Sequence, residues 1–414
     1  GQAGKIHVQS LYKLKKNTTF TTIEVALATP IRFRRKLSDS AVLNNVFMYN
    51  ERPKIISLFS GAGGLDIGFE AAGFQTAVAV EIDTSCCETL RFNRPDLCVI
   101  NKSISDVTGE EILNAAKIGK GEAALVIGGP PCQSFSIAGL RKGLDDERGK
   151  LLFEFVRIVR ETLPVGFVLE NVKGLANWDN GKAVELLLDE LRKPIEADGM
   201  TYQYSVAKPQ ILNAADFDVP QYRERLIIVG NRLGKDFLYP IPELFARPHT
   251  VWDAIGFLPP PDAPSETALK ISKTIKAEEK NMATERIPNH QATAHSPSTI
   301  EKIQKVPIGG KLADIERTFG STYRRLDPDK PSPTVTRSGY RDFIHPYEDR
   351  MLTVRELACL QTFPIDWEFK GVRLDSYSSK RKTNVTQFGQ VGNAVPPKLA
   401  EAVAKEIMSQ WFKK

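Results

Sequence analysis

Residues 54–83 read KIISLFSGAGGLDIGFEAAGFQTAVAVEID. The apolar run Ile55–Phe59 predicts a strand, Gly61–Gly64 a turn, and Leu65–Ala72 an amphipathic helix that stops at Gly73. Thr76–Val80 predicts a second strand, with Glu81 and Asp83 at its carboxyl end. Strand, glycine turn, helix and strand form a βαβ unit, whose strands must run parallel. The spacing is not the G-x-G-x-x-G of dinucleotide-binding proteins. Glycines at a strand-to-helix turn let a ligand approach the backbone, and a carboxylate after the second strand commonly meets ribose hydroxyls. Two readings stay open from these residues alone: a site for an adenosine-containing cofactor, or a tight turn followed by a helix-terminal charge.

Outward from this unit the alternation continues. Strands are predicted at Ala123–Ile127, Gly166–Leu169 and Leu226–Val229, with helices at Leu151–Glu161 and Val184–Ile195. The pattern predicts an α/β fold with a doubly wound, mostly parallel sheet over residues 51–235. After residue 235 the texture changes to proline-rich and polar, including Pro259-Pro260-Pro261. This predicts a smaller, irregular, mostly-β lobe over 236–345 and a hinge over 346–384. Residues 385–414 then return to the first domain through an amphipathic helix from Leu399 to Trp411.

The net charge of +6 lies in one place. Residues 1–50 hold eight Lys and Arg against Glu24 and Asp39, which leaves 48 against 48 in the remainder. This basic N-terminal extension suits a polyanion, or is a solvated arm. No apolar run is long enough for a membrane span or a secretory leader, so a cytoplasmic protein is expected. The five cysteines form neither a paired framework nor a zinc spacing, and Cys98 and Cys359 are expected in the core. His290 and His295 are expected in loops rather than on a metal.

Three further stretches carry chemistry. GGPPCQSFS at 128–136 follows a predicted strand, and its two prolines fix the backbone ahead of Cys132. A thiol so presented is a candidate nucleophile, active as thiolate, or a small residue in a turn. Glu170-Asn171-Val172 closes another strand, where a carboxyl group could protonate or hydrogen-bond a ring nitrogen, cap a helix, or stand as a surface charge. Gln221-Tyr222-Arg223-Glu224-Arg225 precedes the Leu226–Val229 strand, and alternation puts Arg223 and Arg225 on one side, for a phosphate, a substrate base or surface ion pairs.

In this order, with Gly-Asn-Ala-Val-Pro-Pro at 392–397, these motifs resemble the cytosine-5 DNA methyltransferases, over about residues 54–230 and 350–411. The resemblance implies that S-adenosylmethionine (SAM) donates a methyl group to C5 of a flipped-out cytosine in duplex DNA, leaving S-adenosylhomocysteine, with no metal. It implies Cys132 as the nucleophile at C6, Glu170 as the acid at N3, and Arg223 and Arg225 as the pair that holds the base and orders the catalytic loop at 134–149. Phe59, Gly61, Gly63, Leu65, Glu81, Asp106, Pro131, Leu151, Asn393 and Val395 are similar to the family's cofactor-contacting positions. Residues 352–361 correspond to the hinge element.

The lobe at 236–345 would then read the target sequence. Arg324, Arg325, Arg337 and Arg341 are candidates for DNA contact, with Gln133 and Ser136 beside the nucleophile. The compact arrangement suggests a monomer on DNA, of bacterial restriction-modification type, in functional partnership with a restriction endonuclease. Two other readings are a related enzyme acting on tRNA, which typically shows a Cys-Phe-Thr tripeptide not found in this sequence, and a DNA-binding regulator that keeps the fold.

Overall fold

The computed structural model of the chain describes residues 52–131, 147–242, 247–261, 287–316, 323–374 and 384–413. The basic extension at 1–50, Cys132, Gln133 and Ser136 lie outside these residues.

The first strand, β1 (Lys54–Leu58), leads into α1 (Gly64–Ala71) and β2 (Gln75–Val80). Then follow α2 (Thr84–Asn93), β3 (Cys98–Ile100), α3 (Gly109–Ala116) and β4 (Leu125–Gly128). The helix α4 (Glu147–Thr162) leads to β5 (Gly166–Val172), α5 (Lys173–Asn177) and α6 (Lys182–Arg192). A small hairpin, β6 (Ile195–Ala197) and β7 (Met200–Tyr202), precedes β8 (Ser205–Val206), β9 (Gln210–Asn213) and β10 (Glu224–Asn231).

The main sheet has the order β3-β2-β1-β4-β5-β10-β8, with β9 also on β10. The pairs from β3 to β5 are parallel. β10 runs antiparallel to β5, and β8 and β9 antiparallel to β10. From β1 the chain winds outward to β2 and β3, then returns to β4 on the other side, so the crevice between β1 and β4 is a topological switch point.

Alternation along β1 sorts side chains to two cores. Ile56 and Leu58 pack with Phe155 of α4 and Leu187 of α6. Ile55 packs on the opposite face with Leu65 and Phe69 of α1 and with the closing helix. That helix, α12, spans Pro397–Ile407, starting two residues before the expected Leu399, and is continued by a π-helical turn over Met408–Phe412. It lies close against α1: a Cβ on Gly68 would meet the Pro397 carbonyl at 2.4 Å and the Ala400 Cβ at 2.5 Å, so only glycine fits. Cys98 is exposed at the head of edge strand β3, against its expected place in the core, because β3 has a partner on one side only. Among the described residues no helix is long and apolar enough to cross a membrane.

The second lobe is irregular, as its sequence suggests. Its described residues hold α7 (Val251–Ile255), α8 (Pro297–Lys305), β11 (Arg324–Arg325), α9 (Gly339–Asp342) and β12 (Phe343–Ile344). The ladder of β11 with β12 is only two residues long, and Ile303, Val306, Leu312, Ile344 and Met351 form a small apolar cluster in the lobe. The hinge helix α10 (Val354–Leu360) opens with a capping box between Thr353 and Glu356. Glu356 also binds Arg350 through two contacts of 2.9 and 2.7 Å. Beyond it, α11 (Gln387–Asn393) leads to α12.

Three loop histidines complete this network as neutral acceptors. The Pro259 carbonyl can only accept, so His290 Nε2 donates to it and Nδ1 accepts from the Thr353 hydroxyl at 2.9 Å. His295 accepts the Met351 N–H, and His345 Nδ1 accepts the N–H groups of Tyr347 and Glu348. Burial lowers the pKa of all three below the ordinary histidine value of 6.5. Unfolding therefore takes up protons below that value, and their contribution to stability fades as pH falls through and below it. In His345→Asn the amide oxygen can accept the same N–H groups without titrating. Its thermal midpoint should fall less than the wild type's between pH 7.5 and 5.5, as measured by calorimetry. An equal fall in both proteins would remove His345 from this account.

Candidate active site

The cofactor candidates gather at the carboxyl ends of β1 and β2. Phe59 takes a left-handed backbone, φ 53°, and Gly61 and Gly63 follow at 54° and 85°. The Glu81 carboxylate accepts the N–H of Gly61 and of Asp83, each at 2.8 Å, which ties the two strand ends together. Burial raises its pKa despite these donors. A Cβ on Gly61 would meet nothing within 4 Å, so the turn faces open space, as a cradle for a ligand should. Beside it, Ile82 leaves an apolar side chain 67% exposed. These features fit an adenosyl cofactor. Sequence reasoning missed Ile82; an apolar residue between two strand-end carboxylates is the signal that was there to find.

The other cofactor candidates divide. Leu65 and Val395 are buried in the core between α1 and α12, so their side chains serve packing. Leu151 is half-buried on α4, Asp106 is exposed in a short turn, and Asn393 and Pro131 are exposed.

The second centre stands at the end of β5. Glu170 lies inside the strand rather than after it, opposite Ile227 of β10. Its carboxylate binds Arg225 Nε at 2.7 Å, with both side chains about nine-tenths buried. Burial raises the Glu170 pKa, while Arg225 and Arg223 pull it back. The carboxyl group is thereby easier to protonate than one in water, in spite of the guanidinium beside it. The next residue, Asn171, donates to the Pro130 carbonyl at 3.0 Å and accepts the Val172 N–H. It fixes the prolines two residues ahead of Cys132. The motif Glu-Asn-Val was read for its acid, and the anchoring role of Asn171 went unseen. Gly129 completes the fit, because a Cβ there would lie 2.6 Å from Glu170 Oε2.

Arg223 differs from the expectation. It is 1% exposed and donates to the carbonyls of Val335 at 2.7 Å and of Gly392 and Ala394 at 2.8 Å. It acts on Glu170 only through its field, so its guanidinium braces the backbone and does not face a base. Gln221 joins the same knot, accepting the Val335 N–H and donating to Gln361. Arg325 also departs from its expected place on DNA. It is 6% exposed and donates to the carbonyls of Ile303, Val306, His345 and Glu348 and to Asp349, which holds the lobe together. Arg337 and Arg341 are exposed, with Arg341 over the Tyr340 ring, and Arg324 is half-buried. Arg324 lines a cleft of about 630 Å³ between Tyr222 and Glu224 on one side and Lys330 and Thr334 on the other. Residues 147–149 of the expected catalytic loop belong to α4.

The model of the C-5 cytosine-specific DNA methylase family matches residues 53–409, and the chain belongs to that family. It is a DNA (cytosine-5)-methyltransferase of the restriction-modification type. It is similar to the type II methyltransferase M.AquIA of a Picosynechococcus species, 56% identical over 252 residues, which cover 57% of this chain and 98% of the relative. It is also 37% identical over 374 residues to M1.HphI of Haemophilus parahaemolyticus, covering 88% and 89% of the two chains. Among solved structures it resembles a prophage-encoded Escherichia coli protein provisionally named a DNA modification methyltransferase. That match has a TM-score of 0.66 and 27% identity, and covers 87% of this chain and 99% of the other.

Gly129→Ala tests the fit between the proline turn and the acid. The added methyl must displace the Glu170 carboxylate, and displacements near 1 Å cost on the order of 100-fold in rate. We expect kcat for DNA methylation to fall by that order, while the thermal midpoint shifts by a few degrees at most. Steady-state kinetics beside a melting curve separate the two effects.

Proposed function

We propose that this enzyme transfers the methyl group of SAM to C5 of a cytosine extruded from duplex DNA, through a transient bond between Cys132 and C6. The observation that carries this reading is the buried Glu170–Arg225 pair, joined through Asn171 to the prolines that precede Cys132. A carboxyl group raised by burial and restrained by a guanidinium can share a proton with a weakly basic ring nitrogen. A thiolate arriving at C6 would need such support at N3.

SAM, when bound, supplies an electrophilic methyl group on a sulfonium. Glu81 and the Gly61 turn would hold its ribose and neighbouring atoms, and Ile82 would lie against its adenine. The thiolate of Cys132 forms a bond to C6, and the ring electrons make C5 nucleophilic. Glu170 holds a proton at N3, so that negative charge does not build on the ring. Once C5 carries the methyl group, its own proton passes to solvent. The C6–S bond breaks and Cys132 leaves as thiolate. Since C5 and C6 are covered in stacked DNA, the base must leave the helix, at a cost of a few kcal/mol offset by contacts in the pocket.

The cleft between the lobes would receive the duplex. Arg324, Arg337 and Arg341 are the described residues we assign to DNA, and Gln133 and Ser136 would meet the extruded nucleotide. We place the enzyme in the cytoplasm as a monomer on DNA, paired in function with an endonuclease of the same specificity.

The Cys132→Ser variant should lose methyl transfer by more than ~10³-fold and still bind duplex DNA in a mobility-shift assay. Wild type, given SAM and a duplex with 5-fluorocytosine at the target, should form a denaturation-resistant complex, because fluorine cannot leave C5 as a proton does. Absence of that complex on a duplex the enzyme methylates would refute the covalent route. Bisulfite sequencing of DNA from expressing cells would give the target sequence.

A further inference from the structure

Behind the turn at the end of β2, a side chain continues the strand ladder. The last parallel rung joins β2 to β3: Val80 pairs with Ile100, and the Glu81 N–H donates to the Ile100 carbonyl at 3.1 Å. The next donor is the side chain of Asn101. Its Nδ2 lies 3.1 Å from the Glu81 carbonyl oxygen and 2.9 Å from that of Ile82. Both carbonyls can only accept, so the NH2 end of the amide must face them. The oxygen end then accepts from the Thr84 hydroxyl at 3.4 Å. One carboxamide thus grips two successive peptide units.

Those two peptide units flank Ile82, whose side chain is 67% exposed. The atoms around it are fixed from the other direction as well. Glu81 Oε2 accepts the Gly61 N–H, and Oε1 accepts the Asp83 N–H. The Asp83 carboxylate in turn accepts the N–H groups of Cys86 at 2.9 Å and Val385 at 2.6 Å. Each of these contacts fixes backbone orientation, and none of them buries Ile82. An exposed isoleucine gains nothing for the fold from such a frame, since its apolar area stays in water. The contact of Asn101 with the Ile82 carbonyl is itself open to solvent, where water competes for the same oxygen. What the clamp adds to stability is therefore small, and its effect lies in orientation.

We propose that Asn101 is a positioning residue for SAM: its carboxamide fixes the Glu81-Ile82-Asp83 turn so that the carboxylate and the apolar side chain meet ribose and adenine together. This rests on the reading of that turn as part of the SAM site. The direction of the Ile82 side chain and that of the Asp83 N–H are set by the same peptide planes. Rotation of the peptide between Ile82 and Asp83 would withdraw the N–H that Glu81 Oε1 accepts and would swing Ile82 from its place. Without Asn101 the turn must be ordered as the ligand binds, and that cost is subtracted from affinity.

Calorimetric titration of full-length protein without DNA, with SAM and with S-adenosylhomocysteine, compares wild type with Asn101→Ala, Asn101→Asp and Lys102→Ala. Melting curves and steady-state kinetics accompany it. For Asn101→Ala we expect Kd for both ligands to rise by about three- to tenfold, the span set by one net hydrogen bond. The KM for SAM should rise in step, with kcat and the KM for DNA unchanged, because ground and transition states lose the same support. Asn101→Asp keeps the shape but turns a carboxylate toward two carbonyl oxygens, and should weaken binding further. Lys102→Ala removes an exposed ion pair with Glu111 from the next position and should bind as wild type does. Thermal midpoints of Asn101→Ala and Lys102→Ala should stay within about 2 °C of wild type. An Asn101→Ala variant with wild-type Kd values would overturn the proposal. So would a variant whose kcat and melting point fall together with its affinity, since that marks a loss of local fold. A Glu81→Gln variant that binds SAM as tightly as wild type, or a wild type that binds neither ligand, would instead refute the cofactor reading beneath it.

Discussion

A guanidinium with no access to water holds three segments of this chain together. Arg223 donates to Val335 of the second lobe and to Gly392 and Ala394 beside α12, from a position just ahead of β10. Burial lowers its pKa well below the ordinary arginine value, so the charge is held at a cost. Carbonyl dipoles on several sides offset that cost, and removal of the side chain would leave those carbonyls unpaired in the interior. The same knot includes Gln221 and Gln361, which reach the Val335 N–H and the Val391 carbonyl. The lobe, the hinge helix and the returning C-terminal segment thus meet at one polar joint. Its neighbour two residues on, Arg225, holds the active-site acid. The placement of chemistry and the placement of the lobe depend on the same five residues.

Much of the fold was legible because local pattern and tertiary structure agree. The 54–83 unit announced itself through strand period, glycine turn and strand-end acids, and each element formed within a residue or two of its expected place. The polar joint was not legible. Arg223 and Arg225 are identical in type and two apart, and nothing local says that one faces an acid while the other is sealed among carbonyls. That distinction is made by Val335 and Ala394, which lie more than 100 residues away in sequence. Arg325 was misread for the same reason: a paired arginine in a polar stretch looks solvated until the loops that wrap it are known. The histidines likewise read as loop residues, and their partners, all backbone groups except the Thr353 hydroxyl, are not distinguished by the sequence.

Two of the interior carboxylates show how one fold treats charge in two ways. Glu170 has a cation at 2.7 Å, whose attraction opposes burial without cancelling it, so its pKa stays raised. Asp66, in α1, has no hydrogen-bond partner among the described residues, so burial prevails and pushes its pKa up to about 6. Neither arrangement would be selected by stability alone, since an apolar residue of similar volume would pack more favourably. Both stand at the carboxyl edge of the sheet, within the two segments that carry the site.

The antiparallel strand accounts for the remaining peculiarity of the sequence. Four motifs follow their strands: the glycine turn after β1, Glu81 after β2, the prolines after β4, and Glu170-Asn171 at the end of β5. The Gln-Tyr-Arg-Glu-Arg stretch instead comes before its strand. In a wholly parallel sheet it would lie at the opposite, amino edge, some 20 Å from the others at about 3.3 Å per residue. Because β10 runs against β5, Arg225 pairs with Val172, and the start of one strand meets the end of the other. The reversal of one strand therefore brings the guanidinium to the acid. A site motif that precedes its strand was the sequence's own sign that the sheet could not be parallel throughout.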